Sequence, residues 1–525
     1  MDKKFYISTP IYYPSNKLTL GNCYTTVLCD SIARFYRNLG YDVFFLTGTD
    51  EHGQKIQKIA EEKHLTEMEY LNEIVEDTKN LWQLLNISYD KFIRTTDDYH
   101  VKVASKIFNK LYEKGEIYKS KYVGKYCVPC ESFWTDEQLI DGKCPDCGRD
   151  VIEANEDAYF FKLSKYENFL RDLYKNNPTF LLPENRANEM INNFLNKGLK
   201  DLCVSRKTVK WGIPVEFDKE QTIYVWIDAL SNYLSALGYL CDNDENFKKF
   251  WPCDVHVVGK EIVRFHAIIW PAILKALDLP LPKQIFAHGW LTFNNGKLSK
   301  SKEVGKKEVI DPRILSSRYT SDSVRNFLIG DISFGQDGPY SQEIFLNSYN
   351  GILANKVGNI ESRLIGMLLK YNNGKIQNGK VTEEIDSKFF DTIKALKVEC
   401  ISKMKELKPT LSYKTVLKMI DECNTYLDLN KPWELFKNEN NKNRVNTILF
   451  NVIQAFLETY TLLNAFLPES TTKVLKKFNI DSVKIDENNS FNFDIDGLTF
   501  EKGEPLFVRL DINKELQELN EIANS

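Results

Sequence analysis

The chain has 525 residues, of which 43% are hydrophobic and 27% charged, with a formal net charge of −4. That length exceeds one ordinary core, so two to four domains are expected. The near balance of charge excludes a globally basic nucleic-acid binder, though not an enzyme with a local basic surface.

The start, MDKKFYISTP, holds no apolar run long enough for a signal peptide, and no later window reads as a membrane span. Eleven cysteines in such a chain point to reduced thiols and a cytoplasmic location. Lys4 to Thr9 reads as a buried strand, followed by a loop with Pro10, Pro14 and Ser15. From Gly21 to Asn38 the apolar residues Val27, Leu28, Ile32 and Phe35 recur at helical spacing. Val43 to Leu46 is a second strand, ending in Thr47-Gly48-Thr49-Asp50. Strand, loop, helix, strand predicts a parallel α/β sheet with ligands at the strand ends. Thr19-Leu20-Gly21-Asn22 opens the helix, where a glycine admits a phosphate and the helix N-terminus favours anions; a capped helix start explains it equally well.

From Tyr118 to Gly148 the rhythm breaks. Cys127-Val-Pro-Cys130 and Cys144-Pro-Asp-Cys147 are two CxxC pairs separated by thirteen residues. Four thiolates at this spacing predict a tetrahedral zinc site, structural because no ligand position is left for water. The other seven cysteines are scattered and are read as small buried apolar residues. Gln221 to Leu230 and Asp254 to Val258 restore strand character, so the sheet is interrupted by an insertion. Lys297-Leu298-Ser299-Lys300-Ser301, with Lys302 next and Gly296 before it, is a cationic loop suited to a triphosphate; a solvated charged turn is the bland alternative. After Tyr349 the pattern turns helical, over Phe389 to Met404, Leu411 to Tyr426 and the face Val445, Ile448, Leu449, Val452, Ile453, Phe456, Leu457. Asn438 to Asn443 is a loop, and a less regular tail contains Pro505.

Several phrases carry a resemblance: PIYYPSNKLTLGN, FLTGTDEHGQKI, YVWIDALSNYLSALGY, VHVVGKEIVRFHAIIWPAIL, FAHGWL and FGQDG, then ANKVGN and NKPW. KLSKS resembles the KMSKS signature of class I aminoacyl-tRNA synthetases, and the ensemble resembles the methionyl-tRNA synthetase family. The resemblance implies a Rossmann-like catalytic domain in two halves (1–116 and 216–290), a zinc-bearing connective insertion (117–215), a KLSKS-bearing segment (291–348) and a helical anticodon-binding domain (349–525). It implies activation of L-methionine by ATP with Mg2+, and transfer to initiator and elongator methionine tRNA. A monomer is favoured, because no extra C-terminal tRNA-binding domain is recognisable.

Carried over residue by residue, Ile11, Tyr13, Trp226, Leu230, Tyr233, Ile262 and His266 line the methionine side chain, and Asp50 pairs with its ammonium. An apolar, aromatic wall suits a polarizable thioether, with Tyr13 and His266 as polar tips toward sulfur. Gly21, Asn22, His52, His288, Gly289, Trp290 and Leu291 surround the nucleotide, with Lys297, Ser299, Lys300 and Ser301 on its phosphates. Thr19, Asn22, Lys297 and Lys300 are the catalytic set. Thr19 and Asn22 stand where the family usually has two histidines; they too can donate hydrogen bonds, and a TIGN version occurs in tryptophanyl-tRNA synthetases. Glu303 to Lys307 looks like a short insertion after the signature. Asn359, Arg363 and Trp433 are implied to read the CAU anticodon, the tryptophan by stacking. The missing histidines motivate the competing reading, a non-catalytic tRNA- or methionine-binding paralogue.

Overall fold

The computed structural model describes residues 3–127, 132–134, 139–145, 147–293, 296–297, 311–501 and 503–524. A six-stranded sheet forms the centre, in the order Lys91–Arg94, Asp42–Thr49, Lys4–Tyr12, Val255–Gly259, Gln284–His288, Leu181–Leu182. Every neighbouring pair is parallel.

The strands alternate strictly between two cores, as a two-residue side-chain period requires. Phe5, Ile7, Val43, Phe45, Val255, Val257 and Phe286 face one apolar cluster. Tyr6, Phe44, Leu46, Val258, Ile285 and Ala287 face the other. The first cluster continues without a break into the C-terminal helices, through Tyr349, Leu353, Ile448 and Phe456. Burial on both faces explains why these strands read as continuous apolar runs.

The chain leaves the sheet for a four-stranded antiparallel sheet in the order Ser132–Trp134, Ile117–Cys127, Ile152–Phe161, Leu202–Cys203. The edge strand Leu181–Leu182 returns to the central sheet from within this excursion. One expectation is corrected here. Gln221 to Leu230 is not a strand of the parallel sheet: Asp218–Ile223 pairs antiparallel in a separate small sheet, and a helix starts at Val225. An apolar run this short does not distinguish strand from buried helix, and Trp226, Leu230 and Tyr233 already carry the three-to-four spacing.

The C-terminal part is helical, with Asn359–Asn372, Glu384–Lys405, Pro409–Asn430 and Lys442–Leu463 as its long members. The last helix, Ile512–Asn524, folds back so that Glu515 and Glu518 meet Arg318. A second link is fully buried. Arg325, on Ser321–Asn326, lies 2.7 Å from Asp30 of the first helix and bonds the carbonyls of Leu85, Ala465 and Phe466. Among the described residues, no helix is long and apolar enough to cross a membrane.

Candidate active site

The order of the sheet reverses between strands Lys4–Tyr12 and Val255–Gly259, the place where open α/β sheets bind ligands. A cavity of about 310 Å³ opens at their carboxyl ends. Ile11, Tyr13, Asp50, Trp226, Leu230, Tyr233, Ile262 and His266 all line it. Lys55, Ala229, Asn232 and Phe265 also line it, and sequence reasoning did not single them out. Phe265 stacks on Trp226 at 4.2 Å between centroids, and its place next to His266 in VHVVGKEIVRFHAIIWPAIL was the available signal.

His266, one polar tip of this wall, is already engaged. His266 Nδ1 lies 3.0 Å from the Ile262 carbonyl, and its Nε2 lies 2.7 Å from the Tyr233 hydroxyl. Burial pushes His266 down to about 4, so it is neutral at pH 7. A carbonyl only accepts, so the ring proton sits on Nδ1 and Tyr233 donates to Nε2. His266 therefore keeps no N–H for a sulfur atom, which corrects the contact expected of it.

The loop bearing Asp50 is fixed from several sides. Asp50 N–H donates to the Tyr12 carbonyl at 3.0 Å. Glu51 is fully buried and accepts from Thr49, Thr96 and Arg94 Nε. His52 Nδ1 lies 2.7 Å from Asp228, and Trp211 donates to the Glu51 carbonyl at 2.7 Å.

Beside the cavity, helix Leu20–Asn38 points its N-terminus at the same sheet edge. Thr19 is its N-cap, and Asn22 Oδ1 accepts from the Thr19 amide at 3.0 Å and hydroxyl at 3.2 Å. This turns the Asn22 NH2 away, and no partner for it is found among the described residues. A Cβ on Gly21 would meet only Thr19 Oγ1 at 3.7 Å, so packing does not require glycine there. Gly289 differs: its Cβ would lie 2.2 Å from the Gln336 backbone, so a side chain there would push two loops apart.

His288 is buried and bonded on both nitrogens, to Thr25 Oγ1 at 2.6 Å and the Gly289 carbonyl at 2.7 Å. It holds the strand end against the first helix. Trp290 donates through its ring to Glu261 at 2.6 Å and through its backbone to Asp337 at 2.8 Å. Lys260 sits 3.9 Å from the Trp290 ring centroid and 2.7 Å from Asp337. Leu291 is buried in the adjoining strand. Ser299, Lys300, Ser301 and the inserted Glu303 to Lys307 lie outside the described residues, as does the side chain of Lys297.

The family model for class I tRNA synthetases (M) matches residues 5–155 and 149–365. The methionine--tRNA ligase of Clostridium acetobutylicum is 51% identical over 520 residues, covering 99% of this chain and 80% of that protein. That of Caldanaerobacter subterraneus is 50% identical over 520 residues, covering 99% and 81%. The structure of Mycobacterium tuberculosis methionyl-tRNA synthetase in complex with methionyl-adenylate superposes with a TM-score of 0.89 at 34% identity, covering 97% of this chain and 100% of that one. The chain belongs to the methionyl-tRNA synthetase family.

Two further features bear on a synthetase of this family. Cys127, Cys144 and Cys147 place their sulfurs within 4.8 Å of one another, with Cys127 and Cys147 3.5 Å apart. Sulfurs bound at about 2.3 Å to one tetrahedral zinc would lie about 3.8 Å apart, so the spacing suits a metal and is too long for a disulfide. Cys130 lies outside the described residues. At the synthetase's helical end, Asn359 is exposed at the start of its helix. Arg363, one turn on, bonds Asn424 at 2.6 Å and Asp428 at 2.8 Å on helix Pro409–Asn430. That helix stops at Lys431, in the left-handed region (φ 45°), and Trp433 follows in the short helix Pro432–Leu435, half-buried against the bundle core.

Proposed function

We propose that the chain activates L-methionine with ATP and loads the methionyl group onto initiator and elongator methionine tRNA. The observation that carries this reading is the convergence of eight residues, from four separate chain segments, on one cavity at the sheet's switch point. Asp50 takes the ammonium, Trp226, Leu230 and Ile262 hold the apolar chain, and Tyr13, Tyr233 and His266 complete the wall. The helix N-terminus with Thr19 and Asn22 receives the phosphates, the Asn22 NH2 replacing a histidine donor. Lys297 and Lys300, with magnesium brought by ATP, offset charge as a methionine carboxylate oxygen attacks the α-phosphorus and pyrophosphate leaves. The terminal ribose hydroxyl of the tRNA then attacks the carbonyl, and AMP leaves.

Cys127, Cys130, Cys144 and Cys147 would hold zinc, which supplies a fold-stabilising cross-link and no step of the reaction. Asn359, Arg363 and Trp433 read the anticodon. The protein works as a cytoplasmic monomer, with catalytic halves at 1–116 and 216–290, the insertion at 117–215, the KLSKS segment at 291–348 and the anticodon domain at 349–525. Methionine-dependent ATP–pyrophosphate exchange is the test. A non-catalytic paralogue would bind methionine or tRNA and show no exchange.

A further inference from the structure

Asp228 is fully buried on the short helix Val225–Leu230, whose Trp226, Ala229 and Leu230 line the cavity. One of its carboxylate oxygens lies 2.7 Å from His52 Nδ1, and the other lies 3.0 Å from His100 Nε2. His52 comes two residues after Asp50, the carboxylate that enters the cavity from the end of strand Asp42–Thr49. Between them Glu51 is immobilised by Thr49, Thr96 and Arg94. Asp50 and His52 are therefore parts of one rigid segment, and the His52–Asp228 bond is the anchor that joins it to helix Val225–Leu230.

We propose that Asp228 is a positioning residue: its bond to His52 braces the loop bearing Asp50 against the helix bearing Trp226 and Leu230, and so sets the span between the ammonium site and the apolar slot. The inference rests on the methionine reading above. A methionine bound in one rotamer spans one distance from its amino nitrogen to its sulfur, so a wall that drifts costs it a contact or a change of rotamer.

The electrostatics agree with the geometry. Burial opposes charge on both partners, yet each favours the charged form of the other. Asp228 is lowered to about 2 by His52 and His100, and His52 is raised by Asp228 and, less, by Glu51. The groups facing the pair are His100 with Ser235 behind it at 2.8 Å, the Trp211 ring at 5.7 Å from His52, and Glu51, itself neutralised by Arg94. A charge-assisted bond of this kind is stronger than a neutral one and weakens once the imidazole loses its proton.

The test is steady-state ATP–pyrophosphate exchange with wild type, Asp228→Asn, His52→Ala and their double variant, with His100→Gln as a packing control. Asp228→Asn is expected to raise KM for methionine roughly tenfold or more, with kcat within a few-fold, and His52→Ala to raise that KM at least as much. The double variant is expected to be no worse than the poorer single, because both remove one bond. In the wild type, KM should rise at alkaline pH before the substrate ammonium titrates, and Asp228→Asn should move that limb to lower pH. KM effects that multiply in the double variant, or an equal KM rise in His100→Gln, would overturn the brace. If Asp228→Asn does not fold, the alkaline limb decides: it should be present in wild type and missing in His52→Ala, and a limb shared by both refutes the proposal. Absence of exchange in the wild type refutes the methionine reading and the brace with it.

Discussion

The Tyr233 hydroxyl donates a hydrogen bond to Nε2 of His266 at 2.7 Å, and the ring's Nδ1–H donates in turn to the Ile262 carbonyl at 3.0 Å. The imidazole is thus locked neutral inside the cavity wall, with burial holding it at about 4. An unfolded chain protonates histidine near about 6.5. Between these values the unfolded state holds the extra proton, so stability should fall as pH drops below about 6.5 and level off near 4. His256, buried behind Tyr233, is lowered in the same sense. Denaturant midpoints measured from pH 7.5 to 4.5 should show this decline, at most a few kcal/mol per histidine. His266→Gln should make the curve shallower; an unchanged slope would show that His266 titrates normally.

Asp30 and Arg325 are both fully buried, so removing the Asp30 charge leaves the guanidinium buried without the carboxylate it pairs with. Asp30→Asn is expected to destabilise the protein by about 3–5 kcal/mol. Urea unfolding would measure it, and a loss under 1 kcal/mol would mean the carbonyls around Arg325 carry the charge unaided.

Purified protein should hold close to one zinc ion per chain by elemental analysis. Cys144→Ser, at a buried position of the cluster, should lose most of it. Full occupancy with all four cysteines changed to serine would refute the site.

Lys300→Ala should slow exchange by roughly 10²–10³-fold, mainly in kcat, as expected when a donor acts chiefly in the transition state. Unchanged exchange would remove Lys300 from the chemistry.

Trp433→Ala should cost on the order of 1–3 kcal/mol in tRNA recognition while exchange stays near wild type. Because Trp433 also packs on the bundle core, some thermal stability should go with it. Loss of exchange together with aminoacylation would mark it as a core residue alone.

The sheet was legible because strands buried on both faces leave uninterrupted apolar runs, as in Val43 to Leu46. The run from Gln221 to Leu230 misled because its length fits a strand and most of it is buried. The eight cavity residues came from resemblance, since Trp226 or Ile262 alone looks like any core residue. The contacts of Asp228 were illegible for a different reason. His52 and Asp228 are 176 residues apart, and His100 and Asp228 are 128 apart. No local pattern announces a partner at that distance, and only folding brings the three together.

The apolar cluster that runs from Ile7 and Phe45 into Leu353, Ile448 and Phe456 has a consequence for anyone cutting the chain. A fragment beginning at Tyr349 would carry a bare greasy flank into water, and the remaining piece would carry its mirror image, with the Arg325 guanidinium stripped of the Ala465 and Phe466 carbonyls. Neither half is a detachable module. Expressed apart they should precipitate; expressed together they should find each other through that flank.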